Sequence, residues 1–135
     1  MTIGFATGVG LLVLACASSP TSDRSSTAPA PAVLVNSDEF ARRIEEPGVV
    51  TINVHIPNEG DIAGTDLDIA FDQILTTTKL PVDTATPLAV YCRSGNMSAT
   101  AVKDLQAKGY TNIVELKGGY NAWTAAGRTL QPTGS

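Results

Sequence analysis

From Val33 onward, short apolar runs alternate with longer segments in which apolar residues recur at helical spacing. The apolar runs predict β-strands at residues 33–35, 49–54, 87–91 and 111–115. The intervening patterns predict helices at residues 38–46, 71–78 and 98–108, and a last helix that opens at Gly118-Gly119. This alternation is typical of a parallel sheet with helices on both faces, so the predicted fold class is α/β. In such a sheet, sites lie at the carboxyl ends of the strands.

The first fifteen residues have a different pattern. Residues 3–15 are almost wholly apolar and end directly before Cys16. The run is shorter than the ~20 residues of a comfortable membrane span, and it is typical of a signal-peptide core with a small-residue cleavage site. Val13-Leu14-Ala15-Cys16 resembles the bacterial lipobox, whose cysteine is lipidated and becomes the mature N-terminus. We therefore expect a signal peptide at residues 1–15 and a lipid on Cys16; since residues 1–10 contain no Lys or Arg, a plain signal or an uncleaved anchor is the alternative.

Residues 16–32 continue this picture of an exported protein. Ser, Thr, Ala and Pro dominate the segment, and it contains almost no large apolar residue. Such a composition cannot offset the entropy of ordering the chain, which predicts a disordered tether between the lipid and a single domain at residues 33–131. The expected location is the outer face of a bacterial cell membrane, or the periplasm, with the membrane contacted through Cys16.

Cys92 stands between the predicted strand at 87–91 and the predicted helix at 98–108. A strand–loop–helix connection of this kind directs backbone N–H groups and the positive end of the helix dipole toward one point. A thiolate is stabilised at such a point, and Arg93 adds positive charge. The pattern favours a nucleophilic or sulfur-carrying cysteine, and the alternative is a buried, inert one.

The count of cysteines and charges narrows the function further. If Cys16 is lipidated, Cys92 is the only thiol of the mature chain and has no internal disulfide partner. An unpaired thiol in an oxidising compartment is a liability, which argues that it is used. The formal net charge of −4 gives no support to a nucleic-acid partner.

Three motifs between Val49 and Gly127 resemble those of the rhodanese-like, or sulfurtransferase, domain. They are Tyr91-Cys92-Arg93-Ser94-Gly95-Asn96-Met97-Ser98, Gly109-Tyr110-Thr111-Asn112-Ile113 and Gly118-Gly119-Tyr120-Asn121-Ala122-Trp123. The resemblance implies that Cys92 takes the outer sulfur of a donor such as thiosulfate, becomes a persulfide, and passes the sulfur to cyanide or a thiol. It also implies that Arg93, Ser94, Gly95, Asn96, Met97 and Ser98 form the substrate-binding cradle, and that no metal or organic cofactor is required.

The chain departs from the family's pattern at three places. Asn53-Val54-His55 stands where Asp-Val-Arg is common, Gly60-Asp61-Ile62 stands where Gly-His-Ile is common, and Met97 follows Asn96 near a position that is frequently arginine. Only Arg93 then supplies fixed positive charge inside the cradle. The departures predict weaker thiosulfate binding or a less anionic donor.

Cysteine phosphatases use a similar anion cradle around their cysteine. A cysteine phosphatase needs an arginine six positions after its cysteine, and Ser98 occupies that position here. A non-catalytic sulfur-binding, redox-sensing or docking module is the main alternative.

His55, after the strand at 49–54, is a candidate auxiliary residue near the Cys92 pocket. His55 with the carboxylates of residues 59–68 is interpreted as solvated surface, without a metal; Tyr120 and Trp123 are expected to pack in the core.

Overall fold

The computed structural model describes residues 31–133, and its elements alternate between strands and helices. The strands are β1 (Val33–Val35), β2 (Val50–Asn53), β3 (Leu67–Asp68), β4 (Leu88–Tyr91) and β5 (Ile113–Leu116). The α-helices are α1 (Ser37–Ile44), α2 (Asn96–Ala107) and α3 (Gly119–Ala125), and a single 3₁₀ turn covers Phe71–Gln73. The predicted signal peptide, the lipidation of Cys16 and residues 17–30 of the predicted tether lie outside the described residues.

The strands form one sheet in which every strand pairs in parallel with its neighbours, in the order β1-β5-β4-β2-β3. Strand β4 therefore lies in the middle of the sheet, between β5 and β2. A central parallel strand is covered on both faces, which explains why Leu88-Ala89-Val90-Tyr91 is continuously buried. The predicted α/β fold class, a small parallel-sheet domain with helices on both faces, is confirmed.

Alternate residues of the strands enter two hydrophobic cores on opposite faces of the sheet. One core contains Val90 and Cys92 from β4 and the loop after it, packed with Ala101, Val102 and Leu105 of α2. The other contains Ala89 and Tyr91, packed with Phe40 of α1 and Trp123 of α3. Since the two sets follow the strand period of two, the pattern of β4 alone assigns each side chain to its face.

Two segments of the chain differ from the predicted elements. No strand or helix was predicted between residues 54 and 71, but Leu67–Asp68 pairs with Ile52–Asn53 as a short edge strand. Two residues are too few to produce a recognisable period, and the pairing satisfies backbone groups of β2 that would otherwise remain open. The predicted helix at residues 71–78 is only the 3₁₀ turn Phe71–Gln73. The run of threonines that follows at residues 76–78 has low helix propensity, and Thr76 bonds its hydroxyl to the Gln73 carbonyl instead.

The remaining boundaries differ from the expected ones by at most two residues. Helix α2 begins at Asn96 and not at Ser98, because Gly95 serves as its N-cap with a left-handed φ of 108°. The last three residues of the cysteine motif thus belong to the first turn of a helix. No helix in residues 31–133 is long and apolar enough to span a membrane.

Candidate active site

Cys92 is the residue directly after β4, at the carboxyl end of the central strand. The residue is 1% exposed, and its thiol is free. The backbone N–H of Gly95 donates a hydrogen bond to Cys92 Sγ over 3.0 Å. Gly95 is also the N-cap of α2, so the sulfur lies at the positive end of a twelve-residue helix. The structure thus places the sulfur beside a helix N-terminus, where the positive end of the dipole attracts negative charge.

The hydroxyl of Ser98 and the carboxylate of Glu115 extend a row of hydrogen bonds from the sulfur of Cys92. Cys92 Sγ lies 3.5 Å from Ser98 Oγ, and Ser98 is 0% exposed. Ser98 Oγ in turn lies 2.6 Å from Glu115 Oε1 of β5 and 3.1 Å from the carbonyl oxygen of Gly95. A hydroxyl has one proton to donate, so a hydroxyl that donates to Glu115 can accept from the thiol of Cys92. Ser98 and Glu115 thus form a hydrogen-bonded chain beside Cys92 Sγ that can accept its proton.

Sequence reasoning missed Glu115. The signal was present in β5, where Glu115 is the one charged residue among Ile113, Val114 and Leu116. A carboxylate in a strand between two buried layers needs a hydrogen-bond donor, which makes it a candidate for a site. The identity of that donor could not be read from the sequence, because Ser98 lies on a different element.

Helix α3 holds the backbone of the cysteine loop (Cys92–Ser98) in place through hydrogen bonds. The N–H of Tyr120 donates to the carbonyl oxygen of Cys92 over 2.9 Å, and the N–H of Asn121 donates to that of Arg93 over 3.0 Å. A Cβ on Gly119 would lie 2.5 Å from the carbonyl carbon of Arg93. A glycine at position 119 is therefore required for this close approach, which lets the carbonyl groups of Cys92 and Arg93 accept hydrogen bonds from α3.

Glu59, from the loop after β2, accepts three hydrogen bonds on one oxygen atom. Its Oε2 lies 2.6 Å from the hydroxyl of Tyr120, 3.1 Å from Nε2 of His55 and 3.3 Å from Nη1 of Arg93. Arg93, which the sequence assigned to the cradle, thus forms an ion pair with Glu59. His55 also contacts the ring of Tyr120 edge-on, at 5.6 Å between centroids. The structure therefore brings His55, Arg93 and Tyr120 together around a carboxylate.

The charges in this cluster shift two pKa values. The hydrogen bond from Tyr120 is the largest cause of the lowered pKa of Glu59. Burial, the second-largest effect, raises the pKa, and Arg93 and His55 lower it further. Burial raises the pKa of Tyr120 well above its ordinary value, and both Glu59 and Cys92 add to the increase while Arg93 opposes it. The hydroxyl of Tyr120 therefore stays protonated, and it lies within electrostatic reach of Glu59, Arg93 and Cys92.

The two departures, Asn53 and Asp61, form one partly buried hydrogen bond. The side-chain amide of Asn53 donates to Asp61 Oδ1 over 2.8 Å, and its oxygen accepts from the N–H of His55 over 3.0 Å. The hydroxyl of Tyr91 accepts from the N–H of Ile62 over 3.0 Å. Burial raises the pKa of Tyr91 strongly. The replacements are complementary, because the amide supplies the donor that the carboxylate of Asp61 needs.

The other residues of the cysteine loop take separate positions. Ser94 and Asn96 are exposed, and Met97 is partly buried against the core that contains Cys92. Trp123 is 6% exposed and donates its ring N–H to the carbonyl oxygen of Thr129, so its predicted structural role fits its position. Tyr120 combines a buried ring with the hydroxyl that bonds Glu59, and the expectation of a purely structural role missed this second part.

The acidic side chains of the loop after β2 have structural partners. Asp66 Oδ2 accepts from the N–H of Thr51 over 2.8 Å, and Asp61 and Asp68 share the side-chain amide of Asn58. Burial and the charge of Asp61 raise the pKa of Asp68. Within residues 31–133, no group of three or more His, Cys, Asp or Glu side chains is placed to hold a metal ion.

Known proteins are similar to this chain in sequence and in fold. The chain is 35% identical over 71 residues to the adenylyltransferase and sulfurtransferase uba4 of Ogataea parapolymorpha, covering 53% of this chain. The match spans only 16% of that longer protein. A rhodanese-related protein of Thermoplasma volcanium superposes with a TM-score of 0.61 at 27% identity, covering 73% of this chain and 96% of the other. A rhodanese-like domain protein of Staphylococcus aureus gives 0.57 at 26% identity, covering 67% and 90%.

The profile of the rhodanese-like domain family matches residues 36–126, from the N-cap of α1 to the end of α3. The matched segment contains Cys92 and its hydrogen-bond partners Gly95 and Ser98. The chain therefore belongs to the rhodanese-like domain family.

Proposed function

We propose that this protein is a sulfurtransferase in which Cys92 carries sulfur as a persulfide. The observation that carries the proposal is the position of Cys92 Sγ, at the N-terminus of α2 and 3.0 Å from the N–H of Gly95. A thiolate and a persulfide anion are both stabilised there, so the same site serves the empty and the loaded forms of the carrier. The sulfurtransferase name of the uba4 relative supports the same chemistry for the family.

The proposed transfer has two steps. The thiolate of Cys92 attacks the outer sulfur of a donor such as thiosulfate; a new S–S bond forms, the donor's S–S bond breaks, and sulfite leaves with the electron pair. A thiophilic acceptor, cyanide or a thiolate, then attacks the outer sulfur of the persulfide and releases the Cys92 thiolate. When the thiolate forms, the thiol proton moves to Ser98 Oγ while the hydroxyl proton of Ser98 moves to the carboxylate of Glu115, and the N–H of Gly95 stabilises negative sulfur in both steps.

A thiocyanate assay tests this proposal. The full chain is incubated with thiosulfate and cyanide, and we expect turnover that Cys92→Ser abolishes, because an alcohol cannot carry sulfane sulfur. Cys16→Ser is the matched control: it removes the other cysteine and should keep the activity. Equal turnover by the Cys92→Ser protein would overturn the proposal.

The ion pair of Arg93 with Glu59 favours one second candidate, a sulfur-binding, redox-sensing or docking module that does not turn over. A cradle whose cation is already neutralised attracts an anionic donor weakly, so a persulfide supplied by another protein could be held without rapid release. A stable persulfide on Cys92 with no thiocyanate formed would support this second candidate over the enzyme.

We also propose that the domain is exported and anchored through a lipid on Cys16. The support is the apolar run at residues 3–15, the lipobox-like Val13-Leu14-Ala15-Cys16, and the composition of residues 16–32. Labelled fatty acid should enter the full chain expressed in a bacterium and should not enter Cys16→Ser. Equal labelling of the two proteins would contradict the proposal.

A further inference from the structure

Arg93 is the one basic residue of the cysteine loop, and its charge is already neutralised within the site. Its Nη1 lies 3.3 Å from Glu59 Oε2. Both side chains are about half exposed, at 54% and 45%, so the pair lies at the solvent-facing edge of the cradle. An anion that approaches Cys92 along this edge meets a carboxylate together with the guanidinium.

Glu59 is held in this position by more than its attraction to Arg93. The hydroxyl of Tyr120 and Nε2 of His55 bind the same oxygen atom, over 2.6 Å and 3.1 Å. Tyr120 is itself fixed by α3, whose first N–H groups bond the carbonyls of Cys92 and Arg93. The carboxylate is therefore attached to the same framework as the sulfur and does not move freely away from it.

We propose that Glu59 is a specificity-determining residue that makes the site prefer donors with one negative charge over donors with two. The inference rests on the proposed function, and it assigns the donor's charge class. A donor anion must either displace Glu59 from Arg93 or bind beside an uncompensated carboxylate. In both cases the cost grows with the donor's charge, because Coulomb repulsion is proportional to it.

Thiosulfate and methanethiosulfonate form a suitable pair of donors. They share the outer sulfur that the Cys92 thiolate attacks, but a methyl group replaces one oxygen anion, so the charge falls from two to one. The transferred sulfur is the same; sulfite leaves in the first case and methanesulfinate in the second, each with the electron pair of the broken S–S bond. Any difference caused by Glu59 therefore reports the charge of the donor.

The experiment compares kcat/KM for both donors in the full chain and in Glu59→Gln. Two unit charges about 6 Å apart in a water-like medium change an affinity by about threefold, and a double charge by about tenfold. We therefore expect Glu59→Gln to raise kcat/KM by about threefold for methanethiosulfonate and about tenfold for thiosulfate. The difference should shrink as salt is raised toward 1 M, where charges are screened within ~3 Å. Equal changes for the two donors would overturn the inference.

Glu45→Gln is the charge-matched control. Glu45 is an exposed residue at the C-terminal end of α1, and its substitution changes the net charge by the same amount. It should leave the ratio of the two donors unchanged. A shift as large as that of Glu59→Gln would show that net charge, and not the position of Glu59, sets the preference.

A binding measurement separates this inference from the proposed function. Alkylation of Cys92 by neutral iodoacetamide is followed by peptide mass spectrometry, with sulfate or methanesulfonate added to protect the thiol. Glu59→Gln should strengthen protection by the dianion sulfate more than protection by the monoanion. That result without any turnover would support the role of Glu59 and contradict the sulfurtransferase; turnover with no change in either ratio would contradict the role of Glu59 alone.

Discussion

At Glu59, one carboxylate oxygen accepts hydrogen bonds from side chains that come from three separate parts of the chain. Tyr120 makes the shortest of these contacts and is also the largest cause of the lowered pKa of Glu59. A phenol that donates to a carboxylate stabilises its charged form without adding a charge of its own. Tyr120 therefore extends the ionised state of Glu59 to lower pH than a free glutamate would keep it.

The variant Tyr120→Phe tests this role directly. Removing the phenol hydroxyl removes the donor, so we expect the pKa of Glu59 to rise toward its ordinary value of 4.5. Nuclear magnetic resonance titration of the Glu59 carboxyl carbon measures the change. Tyr110→Phe is a matched control, because the hydroxyl of Tyr110 bonds the carbonyl of Pro81 and not Glu59. An unchanged titration of Glu59 in Tyr120→Phe would contradict the role of Tyr120.

The same substitution has a consequence for stability against pH. A carboxylate whose pKa is lowered on folding stabilises the folded state above 4.5, and this contribution disappears as pH falls through the lower, folded value. In Tyr120→Phe the two values are closer together, so less stability is lost across that acidic window. Urea denaturation at several pH values between the two measures the difference.

Individual residues of the site were predictable to different degrees. Cys92 and the helix that follows it were assigned correctly because the apolar run and the glycine in the loop mark a strand end and a helix start. Glu59 was classed as solvated surface, because nothing in residues 55–68 shows that the loop folds back over the cysteine loop. Two of its three partners are far away in sequence, Arg93 34 positions later and Tyr120 61 positions later.

At the scale of elements, the cysteine loop depends on the close approach of α3. Gly119 has a φ of +59° and its α-hydrogen faces the carbonyls of Cys92 and Arg93, where no side chain fits. The two hydrogen bonds from the N–H groups of Tyr120 and Asn121 exist only at this distance. The conformation of the cysteine loop is thus fixed by a helix that begins 27 residues after Cys92.

Gly119→Ala should separate α3 from the cysteine loop. We expect a loss of about 2 to 4 kcal/mol in the free energy of unfolding, from the left-handed backbone and from the overlap with the loop. Gly127→Ala is the control, because Gly127 also has a positive φ but has nothing within 4 Å of an added Cβ. Urea denaturation of both variants should give the smaller loss, about 1 to 2 kcal/mol, for Gly127→Ala. Equal losses would contradict the close contact.

The elements themselves show where local sequence is sufficient. Strand β4 and helix α2 were predicted within two residues, since each buries a face or a whole segment and so imposes a clear period. Strand β3 and the 3₁₀ turn at Phe71–Gln73 were not, because each is only one turn or one pair of residues long. Strand β3 forms because it pairs with the edge of β2, which is a tertiary effect. The 3₁₀ turn is followed by Thr76, whose hydroxyl bonds the carbonyl of Gln73, which is a local effect.

At the scale of the whole molecule, the parallel sheet assembles the site from distant segments. Strand β4 ends at Cys92, β5 supplies Glu115, β2 leads to His55 and Glu59, and α3 supplies Tyr120. The sequence predicted the edge at which they meet, because the carboxyl ends of parallel strands lie together. It did not predict which side chains are in contact, since that depends on the strand order β1-β5-β4-β2-β3.

The most direct test of the central claim, that Cys92 carries sulfur, is the intact mass of the full chain before and after incubation with a sulfane-sulfur donor. Thiosulfate and methanethiosulfonate are used in parallel, and peptide mapping locates any added mass. The account predicts a gain of one sulfur atom on Cys92, reversed by cyanide and absent in Cys92→Ser. No gain with either donor, or a gain on a residue other than Cys92, would contradict it.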